Sequence, residues 1–115
     1  MQFTVAGQTV TVNVGSWAAL EARVAERLAR RRGFALATLN LDHLVKMRHA
    51  PGFRRAYAVH DFVTADGNPI RWMAALAGRP VALLPGSDAI VPIARVAARL
   101  GAPVALVGST DATLR

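Results

Sequence analysis

The 115-residue chain has no cysteine, so no disulfide framework can hold it together, and the absence agrees with a reducing compartment. Aromatic residues make up only 6% of it, too few to interleave with basic residues as stacking platforms for bases, and no nucleic-acid-binding motif is present, so nucleic acid is not the expected partner. No run approaches the roughly 18 apolar residues of a membrane span. The opening residues MQFTVAGQTV lack the charged start and apolar core of a secretory signal, and a cytoplasmic location is expected. There is no internal repeat, low-complexity tract or linker.

Acidic residues are also scarce, 7 against 14 Lys and Arg, for a net charge of +7. Thirteen of the basic residues are Arg. Such a balance suits an anionic membrane face or a diphosphate as readily as nucleic acid, and also describes a merely solubilising surface. Lys46, Arg48, Arg54 and Arg55 concentrate part of this charge on one predicted helical region, as a solvated face or as a contact for lipid headgroups. With 53% hydrophobic and 18% charged residues, the chain has the composition of a folded globular protein. At this length, residues 1–115 make a single domain.

Its periodicities alternate. FTVA and TVTVNV around a Gly7-Gln8 turn read as an amino-terminal hairpin. Ser16 is placed to cap a helix from Trp17 to Arg32, with Trp17, Leu20, Val24 and Leu28 on one side, Arg23, Arg27, Arg30 and Arg31 on others, and Gly33 as its stop. Phe34–Leu39 is a nearly continuous apolar run, as in a strand covered on both faces. Helices are expected over Asp42–His49 and Gly52–Ala58, divided at Pro51, then a strand over Val59–Ala65 and a helix over Asn68–Ala77. Val81–Leu84 is a short strand or an extended loop. A helix capped by Ser87 or Asp88 runs to Leu100, and Pro103–Val107 reads as a third buried strand. The fold class is therefore α/β, a Rossmann-like parallel sheet flanked by helices, with right-handed crossovers and an added hairpin.

In such sheets ligands sit beyond the carboxyl ends of the strands. Thr38, Asn40 and Asp66 occupy those ends on the first two core strands. Asp66 is the candidate catalytic base, because a carboxylate at a strand end can accept the proton of an attacking hydroxyl; alternatively Asp66-Gly67 is a turn that helps to cap the next helix. Thr38 and Asn40 are neutral groups suited to orienting a ligand by hydrogen bonds, and Asn40 or Asp42 is equally suited to capping a helix. Gly86-Ser87-Asp88 is read as a helix start. Gly108-Ser109-Thr110 has one glycine of a phosphate loop and nothing more. His43, His49 and His60 have no metal-ligand spacing, so no metal is expected.

TLNLDHLVKMRHAPGFRRAY, DFVTADGNPIRWMAALAGRP and PGSDAIVPIARVAARLGAPVALVGS carry the blocks T-x-N, D-G-x-P and G-S-D in order. From about Phe34 to its end the chain resembles the amino-terminal half of the WecG/TagA/CpsF glycosyltransferases. That resemblance implies inverting transfer of N-acetylmannosamine or a related sugar from a UDP-sugar donor to a polyprenyl-diphosphate-linked (undecaprenyl-type) sugar acceptor at the inner membrane surface, in cell-surface polysaccharide or wall-polymer synthesis. It makes Asp66 the base, gives Thr38 and Asn40 to the substrate and calls for no cofactor. It also implies an apparently truncated fold, with weak or no turnover by the chain alone and exposed apolar surface that leaves a homo-oligomer open. Where the family carries an Arg shortly before G-S-D, this chain has Leu83, so a catalytically inactive binding module is the alternative function, and a basic nucleic-acid-binding domain a more distant one.

Overall fold

A computed structural model describes residues 1–108 and 110–114. The chain opens with β1 (Gln2–Val5) and β2 (Gln8–Thr11), an antiparallel hairpin in which Val5 pairs with Gln8. That register leaves Ala6 and Gly7 as the turn, and both have positive φ, +48° and +83°. This is the backbone pattern of a type I′ turn, whose twist matches that of the strands it joins. The turn thus lies one residue earlier than Gly7-Gln8.

Helix α1 (Trp17–Ala29) begins on Ser16, whose Oγ accepts a hydrogen bond from the Ala19 amide at 3.1 Å. It ends before Gly33. Arg31 takes the left-handed conformation (φ +52°), the Arg31 amide donates to Leu28 O and the Arg32 amide to Arg27 O. This is a Schellman closure with an arginine where glycine is usual. Arg27 is not a solvated side chain either: it donates to Gly33 O, pairs with Asp61 at 3.5 Å and lies over the Phe62 ring.

After β3 (Leu36–Leu39), α2 (Leu41–His49) and α3 (Pro51–Ala58) are separated at Ala50, whose φ of −125° and ψ of 91° are not helical. A residue before proline is pushed out of the helical region, and Pro51, lacking an N–H, suits the first turn of α3. Next come β4 (Phe62–Ala65), shorter than Val59–Ala65, then α4 (Asn68–Leu76), α5 (Gly86–Arg99) and a last turn, α6 (Asp111–Leu114). Helix α5 is capped by neither Ser87 nor Asp88: Pro85 is its N-cap and makes no side-chain cap bond. Pro92 lies inside it.

β3 and β4 are parallel, with Leu36 opposite Phe62 and Thr38 opposite Thr64. Alternation divides the core in two. Ala37, Leu39, Val63 and Ala65 face the hairpin and α2 to α4, with Leu44, Met47, Tyr57 and Ile70. Leu36 and Phe62 face α1 and α5, with Leu20, Val24, Leu84 and Val96. Helices therefore cover both faces, as expected for an α/β sheet.

The two outer flanks differ. Along β4, the Asn13 and Val14 amides donate to Val63 O, Asn13 Oδ1 accepts from the Val63 amide, and the Leu84 amide donates to Ala65 O at 2.8 Å. Leu83 forms a single bridge with Ala65, so Val81–Leu84 is extended chain that meets the sheet only at Leu83 and Leu84 and is not a strand. Along β3 no third strand is paired among the described residues. Pro103–Val107 is not a strand: Val104, Leu106 and Val107 are 61%, 66% and 94% exposed. An apolar run becomes a strand only where a ladder partner satisfies its amides and carbonyls; among the described residues this run has none, and Pro103 has no amide to offer.

Candidate functional site

The parallel register brings the carboxyl ends of β3 and β4 to the same edge, and the Asp66 amide extends the ladder by donating to Leu39 O at 2.9 Å. Beyond it, Gly67 adopts φ +85° and ψ 146°, a region closed to residues with a Cβ. The turn brings the two strand ends together: a Cβ built on Gly67 would lie 3.9 Å from Asn40 Cβ. Asn40 and Asp66-Gly67 are thus neighbours across the sheet edge.

Asp66 does not cap α4, whose N-cap Gly67 receives no side-chain bond. Nor is it paired with a cation. The three ion pairs among the described residues engage Asp61, Glu26 and Asp42. A half-buried carboxylate with no such partner retains its lone pairs for a proton on an incoming group. Its charge is felt beneath it by Tyr57, whose hydroxyl is pushed up to about 12, first by burial and second by the negative charge of Asp66.

Asn40 has a structural duty. Its Oδ1 accepts from the His43 amide at 2.8 Å while the Asn40 amide donates back to His43 Nδ1 at 3.4 Å, a reciprocal cap at the start of α2. Its side-chain NH₂ remains as the donor it can present to a ligand. Thr38 turns to the other core: its methyl would be 3.4 Å from a Cβ on Gly86. With Leu36, Gly86, Ile90, Val104 and Leu106 it lines an apolar groove of about 460 Å³ that Asp66 does not line. The three candidates share one sheet edge, Asn40 beside Asp66-Gly67 and Thr38 set back toward α5.

Two further residues lie at this edge. Tyr57 and His43 meet at 2.9 Å beside the Thr38 carbonyl, to which the Tyr57 hydroxyl donates and from which His43 Nδ1 lies 3.1 Å. The polar tips of α2 and α3 offer less free charge than their sequence implied: Lys46 pairs with Asp42 at 3.1 Å and Arg54 donates to Met47 O, leaving Arg48 and Arg55 outward. Among the described residues no group of three or more His, Asp or Glu could hold a metal ion, and no helix is long and apolar enough to cross a membrane. Of Gly108-Ser109-Thr110, Ser109 lies outside the described residues.

The family model of the WecG/TagA/CpsF glycosyltransferases matches residues 5–115. The chain belongs to the WecG/TagA/CpsF family. Neither the curated proteins nor the solved structures compared with it gave a match. Membership makes this a glycosyltransferase-family chain with a sugar donor and an acceptor as its substrates in general terms. In it, Leu83 bridges Ala65, one residue from Asp66, so the position is apolar right beside the candidate base.

Proposed function

We propose that the chain serves inverting transfer of an N-acetylmannosamine-like sugar from a UDP-sugar to a sugar linked to a polyprenyl diphosphate of the undecaprenyl type, at the inner membrane surface. The acceptor hydroxyl oxygen attacks the anomeric carbon, its proton passes to the Asp66 carboxylate, and the bond from that carbon to the UDP oxygen breaks, releasing UDP. One displacement inverts the anomeric centre. Thr38 and the Asn40 amide orient the sugars. The observation that carries this reading is the Asp66 carboxylate at the end of β4, without an ion pair or a capping duty and next to Asn40. Arg48 and Arg55, left outward, suit an anionic lipid surface.

Release of UDP from UDP-N-acetylmannosamine in the presence of a lipid-diphosphate-linked acceptor tests it, measured for the chain alone and joined to the carboxy-terminal half of a family member. Asp66-dependent release is expected; no release in either form would remove the reading. A binding module without turnover is favoured by the apolar Leu83 beside Ala65, where a cation would help a diphosphate to leave. Calorimetric binding of UDP without its release would establish that instead.

A further inference from the structure

His43 Nδ1 lies 2.9 Å from Tyr57 Oη, 3.1 Å from Thr38 O and 3.4 Å from the Asn40 amide nitrogen. A backbone N–H can only donate, so the bond from Asn40 requires Nδ1 to be an acceptor, and the ring proton of the neutral imidazole then sits on Nε2. The Tyr57 hydroxyl is consequently the donor that satisfies Thr38 O, and with its deprotonation displaced to about pH 12 it keeps that proton at any working pH. Phe53 packs against both rings, at 5.8 Å from His43 and 5.3 Å from Tyr57, which restricts their rotation.

The place of this contact matters. Leu39 O faces β4, where it receives the Asp66 amide; alternation turns Thr38 O to the opposite, unpaired edge of β3. Among the described residues no strand satisfies it there. The Tyr57 hydroxyl from α3 does so, and the imidazole of His43 from α2, close beside it, receives the Asn40 amide. The two rings together thus tie down both residues that flank Leu39 at the end of the strand.

We propose that His43 and Tyr57 are positioning residues of the sugar site, which fix the free edge of β3 so that Thr38 and the Asn40 amide keep their place relative to Asp66. This inference rests on the transferase reading for its substrate, and on the geometry of β3 for the rest. Misplacement of a substrate-orienting group by about 1 Å can cost up to 100-fold in rate. Loss of either ring group is expected to take about 10-fold.

The test uses the whole 115-residue chain and the variants His43→Leu, His43→Asn and Tyr57→Phe, each checked for a cooperative melt. In His43→Asn the side-chain oxygen stands where Nδ1 does, so it should rescue what His43→Leu loses. Ring ¹⁵N shifts of the unsubstituted protein should show an unprotonated Nδ1. Exchange of the Asn40 amide should quicken about 10-fold in His43→Leu, where it loses its acceptor, and return to within about 3-fold in His43→Asn. In the turnover assay, His43→Leu and Tyr57→Phe should lower kcat about 10-fold with the donor KM nearly unchanged, and His43→Asn should restore it. A protonated Nδ1, unchanged exchange in His43→Leu, or equal kcat in all variants of an active protein would overturn the proposal. Absence of turnover both in the chain alone and in the chain joined to the carboxy-terminal half of a family member removes the transferase reading, and the exchange data then decide by themselves whether the two rings fix the strand.

Discussion

β3 and β4 have nearly the same make-up, LATL and FVTA, and lie side by side in one sheet, yet β4 is buried at every residue and β3 only at Leu39. The difference lies in what flanks them. β4 has backbone partners on both sides, from β3 and from the Asn13–Val14 and Leu83–Leu84 segments, whereas β3 has a strand on one side and on the other an apolar groove and the two rings at Thr38. Burial of a strand follows from its neighbours more than from its own residues. For the site, the candidate base extends from the sealed strand, and the groups that would orient sugars extend from the open one.

The largest test of this contrast is a pair of truncations in register. Phe62→Ala removes a ring packed in the α1–α5 core and lying against Phe34 and Arg27, and should cost about 3–5 kcal/mol in urea unfolding. Leu36→Ala, directly opposite on β3 and only partly buried, should cost about 1 kcal/mol, because fewer contacts are lost. Equal costs would break the distinction between the flanks.

Asp66→Asn should lower turnover about 100-fold or more while leaving UDP binding nearly unchanged, since a general base commonly contributes about 10²–10⁴ in rate and Asn keeps the shape. Full activity in a folded variant would remove the base from β4. Tyr57 gives a pH signature. Its hydroxyl titrates at about 12 in the folded chain against an ordinary 10.0; a raised folded value means that the stability it contributes is complete below pH 10 and is lost as pH rises through 10 toward 12. Alkaline unfolding should therefore steepen in that window and flatten in Tyr57→Phe. The smallest effect is expected on the open strand, where Thr38→Val should weaken acceptor binding by roughly 0.5–1.5 kcal/mol with less change in kcat. A larger loss of turnover than that of Asp66→Asn would reverse the roles of the two strands.

Local signals were legible in the sequence. Ser16 before Trp17 and Pro51 after Ala50 act within a turn of their own position, and the structure uses each as its chemistry dictates. Asn40 was legible as a cap and as a ligand group, and its Oδ1 is committed to the cap. Long-range pairing was not legible. Pro103–Val107 has a strand's composition, but whether a strand forms depends on a partner elsewhere in the chain, and at α1 the left-handed residue is Arg31 although Gly33 stood two positions on. His43 was read only for metal spacing. An Asn followed three residues later by a group able to bond its amide is the capping-box pattern, usually with Glu or Gln, and His in that place was the available clue; Tyr57, 14 residues further on, had none.

The break at Ala50 sets a distance. Were α2 and α3 one straight helix, the 14 residues from His43 to Tyr57 would rise about 21 Å along its axis, and the two rings could never meet. Because Ala50 leaves the helical region and Pro51 restarts it, α3 doubles back and the same two side chains stand 2.9 Å apart. A single proline thus acts as a ruler, turning a separation along the sequence into a contact at the edge of β3.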